Sequence, residues 1–433
     1  MLVIDPLELD RALERFAGLS LRFQRALRVS DAAEHAFELR PRELGDELLA
    51  ELSNGHDPLS TPLNRWAHEL LVRHACLEAE RRVAHARFRD SEPFDQPVRG
   101  EFSPHALLEN ALEDSARRAS FIAALQGHAA RLSAARFQLW ETREQALQRF
   151  PAAARPPEYE KAIELAADRL LASSRDAYLA FELRSFDAAI ELALGRDAIG
   201  EYPTRLTPQT LVELLGEGTW LKGLTPELAN LPRLLGSSSL LRAFARLGQA
   251  LHRSAAERRK PFVLHHDPFE RRALFFSALF GLIPLSRAFA ERRLSVARAR
   301  FADYERASTR VLLLGARTAA FRALLVAHER AGSRAYRNAF VERSYDCFGF
   351  ELPAALASAL FVRKRAQEEF AGLLLALAEN AELTERHDED WVRNPRAIEE
   401  LRARFDTPAW LELDEARLTQ GNELFSRKLL AAL

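Results

Sequence analysis

Residues able to do chemistry are most crowded in Phe262-Val263-Leu264-His265-His266-Asp267, with Glu270 just downstream and His252 on the preceding segment. Imidazoles and carboxylates are zinc ligands, and a site needs three or four of them converging at about 2 Å. Adjacent histidines point in different directions, so His265 and His266 rarely chelate one ion together. The expectation is therefore no metal and no cofactor, with imidazoles that cap helix ends or bond to backbone. The alternative is a divalent metal held by His265, His266, Asp267 and His252 in a helical metal-dependent hydrolase.

A helical zinc peptidase would need His-Glu-x-x-His, two imidazoles one turn apart with a base between them. The nearest string, His68-Glu69-Leu70-Leu71-Val72-Arg73-His74, leaves its two histidines about 120° apart around a helix axis. His328-Glu329 has no following histidine, and no Glu-x-x-His occurs for a carboxylate di-iron site. Asp-Asp-x-x-Asp clusters, G-x-x-x-x-G-K loops and G-x-G-x-x-G loops are also missing, and Gly216-Glu217-Gly218 alone reads as a turn.

Two candidate nucleophiles have plainer readings. Ser237, Ser238 and Ser239 suit the first turn of a helix, where hydroxyls accept from unpaired N–H groups. Cys347, between Asp346 and Phe348, reads as a buried inert thiol. Arg292, Arg293, Arg298, Arg300, Arg306, Arg310 and Arg317 could gather phosphates or stack on bases beside Phe301 and Tyr304. Glu291, Asp303 and Glu305 are interleaved with them, which favours an ion-paired, solvated face. The binding candidates are accordingly His265, His266, Asp267, Glu270, Arg310 and Arg317.

The elements that must position these residues read as helices. After the three serines, Leu240, Leu241, Phe244, Leu247 and Leu251 recur at helical spacing. Pro261 ends that run, and Pro268 starts a second helix capped by Asp267. Leu274, Phe275, Phe276, Leu279, Phe280, Leu282 and Ile283 make this second helix apolar almost all round, so it belongs inside the protein.

Upstream, a helix opens at Asp5-Pro6, a long one runs from Leu63 to about Arg89, and others cover 105–150 and 159–194. Residues 90–104 form a linker. Downstream, Phe289–Arg306 and Thr309–Ala331 read as separate helices, and Pro353 opens one to about Leu383. Thr407-Pro408 is a capped start in the tail. The longest strand-like pattern is Lys260–Leu264, and no βαβ alternation or fixed-period repeat is present.

The class is all-α, a large bundle-like or irregular helical array without substantial β-sheet. It divides into an N-terminal half, 1–200, a Gly/Pro-rich connector, 201–235, and a C-terminal half, 236–433, carrying the core helices.

The totals bound the rest. A chain of 433 residues, 48% hydrophobic and 28% charged, suits a folded protein. Its net charge of −1 gives no bulk reason for a nucleic-acid or anionic-membrane partner. The row holds only five Lys, so 61 − 5 leaves 56 Arg, a bias suited to a GC-rich bacterial coding sequence. Cys76 and Cys347 alone make no disulfide scaffold. No basic-then-apolar leader opens the chain, and no uncharged apolar run is long enough to span a membrane. The expectation is a soluble cytoplasmic protein, a non-enzymatic helical scaffold that binds a protein or peptide. Anion or nucleic-acid binding through the Arg-rich face is a further alternative, and homo-oligomerisation stays open.

Overall fold

The computed structural model describes residues 5–29, 44, 46–54, 58–89, 115–150, 157–183, 235–255, 261–330, 333–352, 354, 356–359, 365–404 and 415–433, with scattered positions between 185 and 231. Of the described residues 86% are helical, and none lies in a strand. The longer helices are α1 (Pro6–Val29), α2 (Asp46–Ser53), α3 (Ser60–Arg89), α4 (Ser115–Arg149), α5 (Pro157–Ser173) and α6 (Ser237–Ala255). They continue with α7 (Arg271–Gly281), α8 (Phe301–Arg330), α9 (Ser333–Phe348), α10 (Ala366–His387), α11 (Pro395–Arg404) and α12 (Glu415–Ala432). The linker 90–104, most of the connector 201–235 and Thr407-Pro408 lie outside the described residues. Within the connector, Thr207 and Thr210 exchange hydroxyl–amide bonds of 3.2 and 2.7 Å, the reciprocal cap a helix start requires.

Helix α1 starts where Asp5 accepts from the Leu7 N–H at 3.0 Å, with Pro6 at its first position. Its Leu9, Leu13 and Ala17 pack on Leu48 and Leu52 of α2 and on Leu63, Trp66 and Leu70 of α3, a small core that also takes in Val263. A much larger core is organised around α7, which lies between α6 and α10. Phe275, Phe276, Leu279 and Phe280 are almost completely buried there. That core runs across the 201–235 interval, since Ile163 and Leu170 of α5 belong to it together with Leu240 and Phe244 of α6. At Gly248 of α6 a Cβ would collide with the Phe276 carbonyl, and at Gly421 of α12 with the Leu374 carbonyl. Only glycine lets these pairs of backbones approach so closely.

Several local expectations give way to tertiary context. Of the strand-like Lys260–Leu264 stretch, Lys260 lies outside the described residues, and Phe262–Leu264 enter a short helix, Phe262–His265, because Asp10 of α1 caps its N-terminus: the Phe262 and Val263 N–H groups donate to that carboxylate at 2.8 and 2.9 Å. Helix α7 begins at Arg271 rather than Pro268. Asp267 does act as a cap, accepting from the Phe269 and Arg271 N–H groups, both at 3.1 Å, but a turn intervenes with Glu270 in the left-handed region at φ 56°. The expected break near residues 307–308 is absent. Helix α8 runs through it with Ser308 and Thr309 fully buried. Conversely, the helix expected from Pro353 is divided into Leu356–Ala359 and α10.

Among the described residues one segment, Arg298–Glu329, is long and apolar enough to cross a membrane by length and hydropathy. Of its most apolar window 67% is buried inside the fold, which is the behaviour of a central core helix.

Candidate functional site

The histidine cluster sits at the seam between the two cores. Helix α6 carries His252, the short helix 262–265 carries His265, and His266 follows it. His266 stacks on Phe262 at 4.8 Å and meets His252 edge-on at 6.3 Å, while its carbonyl accepts from the Trp66 indole. Arg272, buried, donates to the Leu264 carbonyl at 2.8 Å.

Burial pushes His252 down to about 3, with neighbouring His266 and Arg272 acting in the same direction. Burial likewise lowers His266, helped by His265 and Arg272 and opposed by Asp10. His252 is therefore a neutral packing group at physiological pH. Asp267 gives both oxygens to backbone N–H groups, and Glu270 turns away to pair with Arg365 at 3.6 Å. Among the described residues no three His, Cys, Asp or Glu side chains stand close enough to hold a metal ion.

The other sequence candidates also resolve into framework. His68 bonds through Nε2 to the Phe150 carbonyl, and Glu69 pairs with Arg73 at 2.7 Å. Burial would raise the Glu69 carboxyl, but Arg73, Arg143 and Arg365 outweigh it and hold it at about 2. Arg317 is not on the basic face at all: it is 2% exposed. Its guanidinium donates to the Cys347 carbonyl at 2.6 Å, the Leu171 carbonyl at 2.9 Å, the Ser174 hydroxyl at 2.6 Å and the Asp346 carbonyl at 3.2 Å, and lies over the Tyr178 ring. It thereby closes the C-terminal ends of α5 and α9, where helix dipoles favour a cation. Cys347, whose carbonyl it takes, is fully buried, and burial pushes its thiol up to about 12. Arg310 is half-buried, and of the remaining arginines Arg292 pairs with Asp390 and Arg300 with Asp303, both at 3.2 Å.

A cleft absent from the sequence expectations lies where the exit of α7 meets α8, α10 and α12. After Gly281 the chain makes a tight 3₁₀ turn, Ile283–Leu285, pinned to α8 by Tyr304, which donates to the Pro284 carbonyl at 2.7 Å. Ser286 then caps the helix Arg287–Arg292 by accepting from the Phe289 N–H at 3.1 Å.

Across the gap, α10 ends at Asp388 and a second 3₁₀ turn, Trp391–Arg393, folds back. The Trp391 indole donates to Asn380 at 3.1 Å, and Glu389 accepts from the Ala288 N–H at 3.2 Å. The cavity so enclosed measures about 340 Å³, at the small end of ligand sites. Leu282, Ile283, Phe289, Leu377 and Trp391 form its apolar lining, with Asn380, Thr384, Glu305 and Lys428 among the polar groups. Lys428 stands 3.8 Å from Glu305, and burial pushes its amine below the ordinary value, against the raising effect of Glu305 and Glu389.

The one sequence signal for this site was compositional: Lys428 is one of five lysines among 61 basic residues. Compared with protein-family models, with curated proteins and with solved structures, the chain finds no match.

Proposed function

We propose that the protein is a non-enzymatic helical scaffold that binds a peptide segment of a partner protein, lodging one apolar side chain of that segment in the cleft between α8, α10 and α12. The observation that carries this reading is how the cleft's charges are used. Lys428 faces Glu305, Arg287 pairs with Glu291 at 2.8 Å, and Asp390 pairs with Arg292 and Arg393. What remains for a ligand is the apolar lining, the Thr384 hydroxyl and the side-chain NH2 of Asn380, whose oxygen is held by the Trp391 indole. That set complements an apolar side chain together with the peptide amide from which it hangs. A cytoplasmic setting, without membrane or nucleic acid as partner, is part of the same proposal.

Panning a random peptide library against the immobilised full chain tests it, with fluorescence anisotropy on the enriched peptides. Thr384→Trp, which fills the half-buried rim, should weaken them by about tenfold or more while the melting temperature holds. Enriched peptides that bind wild type and Thr384→Trp equally would remove the cleft from the function, and a library yielding no binder would overturn the peptide reading.

A further inference from the structure

We propose that Lys428 is a nucleophilic amine that captures a small apolar aldehyde or ketone as a reversible imine, with Glu305 moving the protons. The inference uses the same cleft but not the peptide as its occupant, and it adds covalent chemistry to that cleft.

Four features converge on it. The amine projects from α12 into a cavity where aliphatic and aromatic side chains make up about half of the lining, Leu282, Ile283, Phe289, Leu377 and Trp391 among them, which can take the hydrocarbon part of such a carbonyl compound. A carboxylate oxygen of Glu305 lies 3.8 Å from Nζ, so a small rotamer adjustment or one bridging water brings the two within proton-transfer reach. Burial disfavours the ammonium form, which raises the share of amine able to attack.

Finally, a chain that uses arginine for nearly all its cations places a lysine here. Arginine would make the stronger, bidentate bond to Glu305, yet it stays protonated and cannot act as a nucleophile at neutral pH. Lysine is the worse ion-pair partner and the better reagent.

The steps balance without any oxidant or reductant. Glu305 takes a proton from the Lys428 ammonium, and the neutral amine adds to the carbonyl carbon as the C=O π pair moves to oxygen. A proton passes from nitrogen to that oxygen to give the carbinolamine. The Glu305 carboxyl then protonates the hydroxyl, water leaves, and the nitrogen lone pair forms the C=N bond. Ammonium and carbonyl compound have become iminium and water, and addition of water reverses the sequence.

The experiment incubates the full-length protein with hexanal and sodium cyanoborohydride at neutral pH and maps alkylated lysines by peptide mass spectrometry. Lys161, exposed on α5, is the internal control. The expected result is Lys428 labelling about tenfold or more faster than Lys161, saturating with hexanal, and dropping by about tenfold or more in Glu305→Gln. The Thr384→Trp protein should lose the Lys428 signal while Lys161 labelling is unchanged. A pH profile of the labelling rate should place the Lys428 midpoint below the ordinary lysine value. Labelling of Lys428 no faster than Lys161, or rising linearly without saturation, would overturn the proposal. Peptide binding is read separately, so either reading can fail while the other stands.

Discussion

An imidazole that must stay neutral makes a fold sensitive to acid, and His252 is the clearest case. Its folded value of about 3 lies below the ordinary 6.5, so between those two the unfolded chain binds a proton that the folded chain does not. Stability is thus fully present above about pH 6.5 and falls as pH drops toward 3, and His266 and His68 contribute in the same direction. Glu69 adds a second loss lower down, between its ordinary 4.5 and about 2, where protonation dissolves its attraction to the arginines around it. Urea denaturation of His252→Leu at pH 7 and pH 5 should show a smaller loss between the two than wild type shows. An equal loss would mean that His252 is already charged in the fold.

Sequence alone assigned Arg317 to a solvated face, although its helical phase argued otherwise. It lies one turn from Leu313 on one side and Phe321 on the other, both fully buried, and so falls within the apolar stripe of α8. What could not be read was its set of carbonyl partners, which come from Leu171, Asp346 and Cys347 far along the chain.

At the scale of elements, most helices were legible because apolar spacing, proline and capping residues agree. In α6, for example, Leu240, Phe244, Leu247 and Leu251 are all buried as their spacing requires. One of its serines also caps, in a sense different from the expected one: Ser239 reaches back to accept from the Gly236 N–H at 2.8 Å. The errors fall where a distant partner decides local structure. Nothing between residues 260 and 264 announces the Asp10 carboxylate that makes the stretch helical.

Gly248 is another such place, since a glycine inside an amphipathic helix looks like a weakness until α7 is laid against it. Alanine there would gain about 1 kcal/mol of helix propensity. The added methyl meets the Phe276 carbonyl, however, and forcing packed backbones apart typically costs about 1–3 kcal/mol. The clash should win, so Gly248→Ala should lower the melting temperature in calorimetry, whereas the same change at Gly315, with open space around it, should not.

At the scale of the whole molecule, the all-helical class was written in the sequence and the cleft was not, because its walls come from four segments that meet only after folding. What keeps those walls together on the α12 side is a set of ion pairs. Arg417 of α12 bonds to Glu379 at 2.9 Å and Glu382 at 3.0 Å on α10. Arg386 continues the network to Glu400 on α11. Glu379 is fully buried, so removing Arg417 takes away its nearer cation and leaves the carboxylate to the longer pair with Arg386, at 3.9 Å. Breaking a buried pair from one side costs about 3–5 kcal/mol. Arg417→Met should therefore loosen α12 and give faster release of the C-terminal helix under limited trypsin digestion. If release occurs at the wild-type rate, packing of Leu418, Phe425 and Leu429 suffices to hold the helix.

The bond from Asp10 to the amides of Phe262 and Val263 also sets a clock. The two ends of that contact are 252 and 253 positions apart in the chain. At the usual synthesis rate of about 5–20 residues per second, residue 10 is made roughly 13–50 s before its partners. Through that interval α1 and α3 can already pair, but the face of Trp66 that will receive Phe262 has nothing to cover it. The nascent N-terminal helices therefore carry an aromatic surface awaiting its cover. The four-residue helix can seat on the Asp10 carboxylate only once residues 262 and 263 have been made.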